Sequence, residues 1–264
     1  MAALVRLLTP LGVTPPAVRT AISRMVRQGW LVPVRLGTGP GYGLTDQARV
    51  RLDDAAARIY RTREAAWAGS WDLLVLQAPA SRSARDRIRS GLTFLGYAPL
   101  TDSTWISPFA STEAQTLLDD ERVEHARFAA ADDEPTVRAV QAWDLEGLAK
   151  SYRRWHQEAR ALVREPAPTT AAVGAESRAD FDEHAFAVRS LLVHEWRKFL
   201  FTDPGLPAEL LPPDWPGDAA ARFFAEEASR LMPAAARHVD TCLAESRPHE
   251  PLPDPTSATE RSSL

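Results

Sequence analysis

The sequence holds a single cysteine, Cys242, which excludes a disulfide framework and any cluster of thiolate ligands around zinc. One lone thiol fits a reducing compartment. No apolar run approaches the ~20 residues that a membrane-spanning helix needs, and Leu73–Leu76 is typical of the longest. The N-terminus also lacks the extended apolar segment of a secretory signal, because Arg6 follows closely on a weak apolar stretch. The expected location is therefore cytoplasmic. A further absence is local: between Met1 and Thr45 there is no Asp or Glu, while Arg6, Arg19, Arg24, Arg27 and Arg35 are present.

Enzyme signatures are missing too. Gly37, Gly39, Gly41 and Gly43 alternate strictly, so G-x-G-x-x-G is not met, and no Lys follows to make a phosphate-binding loop. A hairpin turn explains these glycines better. His194-Glu195 begins like a zinc-protease motif, but the residue four after His194 is Lys198. His125, His156, His184, His194, His238 and His249 are scattered, with no i, i+4 pair. No G-x-S-x-G elbow is present. The expectation is a non-enzyme with no metal, no cofactor and no catalytic residue.

What is present is an uneven charge distribution. Residues 1–63 carry ten arginines against Asp46, Asp53 and Asp54, a net of +7, and the total of −4 leaves −11 for the rest. A basic head on an acidic body suggests a localised surface for a polyanion, since phosphate contacts supply most nucleic-acid affinity.

The apolar pattern predicts an α+β multidomain chain. Leu4, Val5, Leu7 and Leu8 form a short helical face ending at Pro10-Leu11-Gly12. Thr14 then stands at a helix N-cap, with Pro15 in the first turn where a missing N–H is harmless. Val18, Ile22, Met25 and Val26 recur at helical spacing and face a core, and Gly29 ends the helix. Trp30–Leu36 and Tyr42–Thr45 read as strands about the turn Gly37–Gly41. Thr45 caps a further helix with Ala48, Leu52, Ala55 and Ile59 inside. The sum is a winged helix-turn-helix over residues 1–66.

Residues 67–133 read as β-α-β-β-α-β, the order of a ferredoxin-like split βαβ unit. Its parts are the strand Trp71–Gln77, a helix capped by Ser81 (Ala84, Ile88, Leu92 and Leu95 inside, Gly96 stopping it), strands Tyr97–Leu100 and Thr104–Ser107, a helix with Thr112 and Gln115 as capping box, and the strand Val123–Phe128. Residues 134–245 are helical: Val140, Trp143, Leu148, Tyr152 and Trp155 share an aromatic-rich face. A loop spans Glu165–Ser177, a helix runs from about Asp180 to Phe201, and another from Asp218 to about Glu245. Pro248, Pro251, Pro253 and Pro255 mark residues 246–264 as a disordered tail.

Three groups of residues are functional candidates. On the second helix the apolar stripe leaves Arg19, Thr20, Ser23, Arg24 and Arg27 on the opposite side. That is a recognition-helix composition, since arginine pairs with guanine or phosphate and short hydroxyls fit against base edges. Arg35 in the wing adds a backbone or minor-groove contact to double-stranded operator DNA. In the C-terminal region, His194, Trp196 and Arg197 can line a pocket for an anionic ligand with Trp215 as a stacking surface, or the tryptophans can simply pack in a helical core. Finally, Asp72 on the first strand of the middle unit, with Asp102 before the third, resembles the acid of small CRISPR adaptation nucleases. It supports an alternative reading as a metal-dependent nuclease, although a single carboxylate makes a poor Mg²⁺ site.

The chain resembles the PaaX family, repressors of phenylacetate catabolism. The residues that carry this are Arg19-Thr20-Ala21, Arg24-Met25-Val26, Gly29-Trp30-Leu31, Leu44-Thr45, Arg58-Ile59-Tyr60, Trp71-Asp72-Leu73, Leu95-Gly96-Tyr97, Trp105-Ile106-Ser107-Pro108, Trp143-Asp144-Leu145 and the His194–Gly217 stretch. The resemblance implies a homodimer whose repression is relieved by an acyl-CoA effector, phenylacetyl-CoA in the name-giving members. The family normally has another helix before the residues matching Ala2–Leu8, which implies a start inside the winged helix. The wing Gly37–Gly43 also carries fewer cations than the family pattern.

Overall fold

The computed structural model describes residues 1–36, 39–59, 66–79, 81–164 and 175–244. The turn residues Gly37 and Thr38, Tyr60, most of the expected loop over 165–177 and the expected tail over 246–264 lie outside the described residues, as do the side chains of Ala55 and Ile59. The chain gathers into two compact units: Met1–Arg51 with Pro168–Ala187 and Pro233–Leu264, and Leu52–Ala167 with Val188–Met232.

The first unit opens with α1 (Ala2–Leu8) and a 3-10 turn, Thr9–Leu11. Gly12, at φ +72°, supplies the left-handed step that reverses the chain. Helix α2 (Pro15–Arg27) starts at Thr14, which is extended as an N-cap should be, with prolines in the first turn; its side chain makes no capping bond. Strands β1 (Leu31–Leu36) and β2 (Gly39–Leu44) pair antiparallel, from Leu31 opposite Leu44 to Leu36 opposite Gly39. A Cβ on Gly43 would lie 3.3 Å from Val34 Cγ1, so one alternating glycine leaves room for a valine of the facing strand. Helix α3 (Asp46–Ile59) is capped by Thr45, whose Oγ1 accepts from Ala48 N–H at 3.2 Å and donates to the Gly29 carbonyl at 2.8 Å. One hydroxyl thus ties the start of α3 to the end of α2.

Among the described residues, Val18, Ile22 and Ala48 are the buried hydrophobic ones of this N-terminal segment. Met25 and Leu52, expected inside, are 43% and 49% exposed. Met25 lies on the same line of α2 as Val18, two turns on, where the small core no longer reaches. The rest of the unit comes from α8 (Ala175–Trp196) and α10 (Pro216–Ala244). There Arg237 forks onto Asp182 at 2.6 and 2.9 Å, and Phe186 packs on His238. Cys242 Sγ lies 3.6 Å from His238 Nε2, and burial pushes its thiol pKa up, away from reactivity.

The second unit contains β3 (Trp71–Leu76), α4 (Arg82–Phe94), β4 (Ala98–Pro99), β5 (Thr104–Ser107), α5 (Thr112–Asp120) and β6 (His125–Ala130). The strands lie in the order β4-β5-β3-β6, every pair antiparallel. Leu74, Leu76 and Trp105 of the sheet meet Ile88, Leu92, Ala114 and Leu118 of the two helices in one core. Ser81 caps α4 as expected, accepting from Ala84 N–H at 3.1 Å. The cap of α5 is Ser111 rather than Thr112: its Oγ accepts from Ala114 N–H at 3.2 Å, so the turn begins one residue earlier. The last strand starts at His125 rather than Val123, because Val123 N–H bonds the Leu118 carbonyl and closes α5.

Helices α6 (Pro135–Ala142), α7 (Leu145–Arg164) and α9 (Phe199–Thr202) complete this unit with parts of α8 and α10. Val140 is 53% exposed, not on the aromatic face. The chain breaks at Trp143, which is extended, and Asp144 caps α7 through Gly147 N–H at 2.9 Å, so helical spacing does not carry across. Likewise α8 begins at Ala175, inside the expected loop, and ends at Trp196 before the short α9.

Candidate nucleic-acid interface

Helix α2 sorts its side chains cleanly. Val18 and Ile22 are buried, whereas Arg19, Thr20, Ser23, Arg24 and Arg27 are all exposed. At 100° per residue those five span an arc of about 140°, so three guanidinium groups and two hydroxyls share one side. The helix contains no acid to neutralise them. Arg24 and Arg27 occupy the last turn, where cations also suit the helix dipole. Arg35 is exposed on β1, opposite Pro40. Such a surface is chemically suited to a polyanion, and its mix of arginine with short hydroxyls has the composition found in the class of nucleic-acid-binding proteins.

The other candidate residues sit differently. Trp196 and Trp215 are each 7% exposed, inside an aromatic block of the second unit. Tyr152 stacks on Phe199 at 4.0 Å and contacts both tryptophans, at 5.9 and 6.1 Å, while Trp196 stacks on Phe224 at 4.8 Å. Trp155 meets Trp196 edge-on at 4.8 Å. His194 and Arg197 are exposed. The fold therefore joins the two tryptophans through Tyr152 and leaves His194 and Arg197 at the surface.

Asp72 is 9% exposed and fully engaged. Arg127 forks onto both carboxylate oxygens, at 2.6 and 2.9 Å, and Tyr97 Oη donates a short hydrogen bond to Oδ2. Arg127 also donates to the Ser111 carbonyl at 3.2 Å, and Ser111 N–H donates to Tyr97 Oη. Burial first, then the Asp72 bond, raise the Tyr97 pKa to about 12; the same carboxylate raises that of Arg127. A metal at Asp72 would have to displace a guanidinium. Asp102 is exposed in the β4–β5 turn, and no group of three or more His, Cys, Asp or Glu suited to a metal occurs among the described residues. The partnership of Arg127 with Asp72 escaped the sequence reading; the one signal for it is a lone cation on a strand otherwise made of small and aromatic residues.

Comparison with known proteins carries the class to a family. Three family models match in chain order: "PaaX-like protein" over residues 1–48, "PaaX protein central Cas2-like domain" over residues 64–141 and "PaaX-like protein C-terminal domain" over residues 143–241. The "Transcriptional repressor PaaX" of Escherichia coli (strain K12) is 31% identical over 244 residues, covering 89% of this chain and 75% of the relative. The solved structure of an uncharacterized protein from Mycobacterium tuberculosis, 27% identical, superposes with a TM-score of 0.59 over 91% of this chain and 90% of that one. The chain belongs to the PaaX family.

Proposed function

We propose that the protein is a dimeric, sequence-specific DNA-binding transcriptional regulator, a repressor released by a small acyl-CoA-like effector. The single observation that carries this is the exposed, acid-free face of α2, with Arg19, Thr20, Ser23, Arg24 and Arg27 on one side of a helix followed by a two-stranded hairpin. In this reading the N-terminal segment is a winged helix that sets α2 in the major groove and Arg35 on the backbone or minor groove. The middle unit is a ferredoxin-like sandwich, and the homodimer presents two recognition helices to a partly palindromic operator. The repressor activity of the E. coli relative supports the direction of control. Effector binding near His194, Trp196, Arg197 and Trp215 shifts the spacing of the recognition helices and lowers affinity. No helix among the described residues is long and apolar enough to cross a membrane.

The test is fluorescence anisotropy with duplex DNA from the upstream region of the protein's own coding sequence, at two salt concentrations, for wild type and Arg24→Ala. Specific binding that weakens with salt, and by about 1–3 kcal/mol in the variant, supports the reading. Equal affinity for random duplex overturns it. Mg²⁺-dependent cleavage lost in Asp72→Ala would favour a nuclease instead, but the occupied carboxylate speaks against that reading.

A further inference from the structure

The alternating glycines of β2 sort its side chains. Gly39, Gly41 and Gly43 fall on one face of the strand, so Pro40, Tyr42 and Leu44 all leave from the other. The register sets those three opposite Arg35, Pro33 and Leu31 of β1. One face of the hairpin is therefore a ladder of three cross-strand pairs, Leu31–Leu44, Pro33–Tyr42 and Arg35–Pro40. On the opposite face, Val34 and Val32 take the room over Gly43. Pro33, Arg35, Pro40, Tyr42 and Leu44 of the ladder are exposed. Neither the Tyr42 hydroxyl nor the Arg35 guanidinium has a partner among the described residues.

Three features identify what this largely apolar face meets. It lies within Met1–Thr45, which holds no Asp or Glu, and it carries a guanidinium, so its field suits an anionic partner. The hairpin is also tied to the end of α2, because Thr45 at its exit donates to the Gly29 carbonyl. Its ladder is thereby held beside the helix that exposes Arg19, Arg24 and Arg27. Finally, Pro33 and Pro40 stand on opposite strands, and neither has the N–H that an added strand pairs with. That disfavours a second copy extending the ribbon. The exposed aromatic residues Phe94, Phe128, Phe181 and Phe201 all lie outside the acid-free stretch.

We propose that Tyr42 is a specificity-determining residue for duplex DNA: its ring, braced by Pro33, packs in a minor groove and selects A·T pairs while Arg35 holds a phosphate. This rests on the DNA-binding reading above and adds a sequence-reading residue on the hairpin. Residues two apart on a strand are about 7 Å apart, and the minor groove is about 6 Å wide. A guanidinium on one wall therefore leaves the ring at the groove. In a G·C pair the guanine N2 amino group projects into that groove. A ring packed there strips the amino group of water and returns no acceptor. A·T pairs carry no such donor. An apolar contact also releases no counterions, so it adds affinity that salt leaves untouched.

The test uses the full chain and the upstream duplex in three forms. In the minor grooves that the protein protects from hydroxyl radicals, A·T pairs are kept, replaced by G·C, or replaced by inosine·C. Inosine·C keeps the major-groove pattern of G·C and lacks the minor-groove amino group. By anisotropy, wild type should bind the A·T and inosine·C forms alike and the G·C form about tenfold more weakly. Tyr42→Ala should lose that discrimination with an unchanged salt slope, Tyr42→Phe should match wild type, and Arg35→Ala should lower the slope by about one phosphate. A wild type that groups inosine·C with G·C, or treats all three forms alike, overturns the proposal. So does a Tyr42→Ala variant that still discriminates, or a Tyr42→Phe variant that does not, because the hydroxyl is then the contact. A changed sedimentation coefficient or a lowered melting temperature in Tyr42→Ala makes the face an interface or a core and also overturns it. Failure of the underlying reading shows separately, in equal affinity of wild type for the upstream and random duplexes.

Discussion

Two regions of this chain are built on opposite principles. The N-terminal segment, Met1–Arg51, has Val18, Ile22 and Ala48 as its buried hydrophobic residues among those described, and spends its sequence on exposed arginines and hydroxyls. The aromatic block of the second unit stacks Tyr152, Trp155, Trp196, Phe199, Trp215 and Phe224 with scarcely an exposed atom. The difference teaches where specificity is stored. In the first region, on the proposed DNA-binding reading, the outward face carries the information, over a small core drawn from both α2 and α3. In the second the inward face carries it, because interlocked rings admit few alternative packings.

The largest effect should come from the block. Trp155→Ala removes a fully buried indole that touches Trp196, Phe199 and Phe224, and should destabilise the protein by about 4 kcal/mol. Urea unfolding followed by far-UV circular dichroism measures it; a loss below about 1 kcal/mol would break the contrast.

Next comes the polar counterpart of that block. Asp72→Ala strands Arg127 and Tyr97 without their acceptor and should lower stability by about 3 kcal/mol. Asp72→Asn, which keeps the shape and loses the charge, should recover part of it in the same measurement.

A pH dependence follows from the same network. The Tyr97 pKa is raised to about 12 in the folded protein against about 10 unfolded. The neutral phenol therefore adds stability that is fully present below pH 10 and is lost as pH rises through 12. The change across that window should be about 2 kcal/mol. Urea titrations at pH 9 and pH 11.5 should show a smaller alkaline loss in Tyr97→Phe than in wild type.

The smallest effect on stability sharpens the comparison most. Arg19→Ala with Arg27→Ala removes two exposed side chains from α2 and should change unfolding free energy by no more than about 0.5 kcal/mol. The same variant should reduce the salt dependence of DNA binding by about two phosphate contacts. A large stability loss would mean that the face is structural.

Much of this was legible in the sequence because local chemistry decided it. The Ser81 cap, the stop at Gly96, the strand Thr104–Ser107 and the outward Arg19, Ser23 and Arg27 all follow from short-range rules. Errors arose where two short-range signals competed or where partners were remote. Ser111 and Thr112 are adjacent hydroxyl residues, and only the closed turn distinguishes cap from first helical residue. Val123 looks like strand but is consumed by the end of α5. Met25 obeys the helical period and still faces solvent, because periodicity marks a line on a helix but not how far the core extends beneath it. The Asp72–Arg127 pair joins residues 55 positions apart, beyond any pattern of spacing.

The make-up of the first unit has a consequence in time. It draws on Met1–Arg51, Pro168–Ala187 and Pro233–Leu264, so its earliest and latest parts lie at opposite ends of the chain. A ribosome adding roughly 5–20 residues per second takes on the order of 10–40 s to pass from residue 51 to residue 244. Throughout that interval the cationic helix exists without the Asp182–Arg237 and Phe186–His238 contacts of its own unit. A nascent copy thus gains the α10 part of its first unit only once residues 233–244 have been made, and a fragment cut at residue 66 never gains it at all.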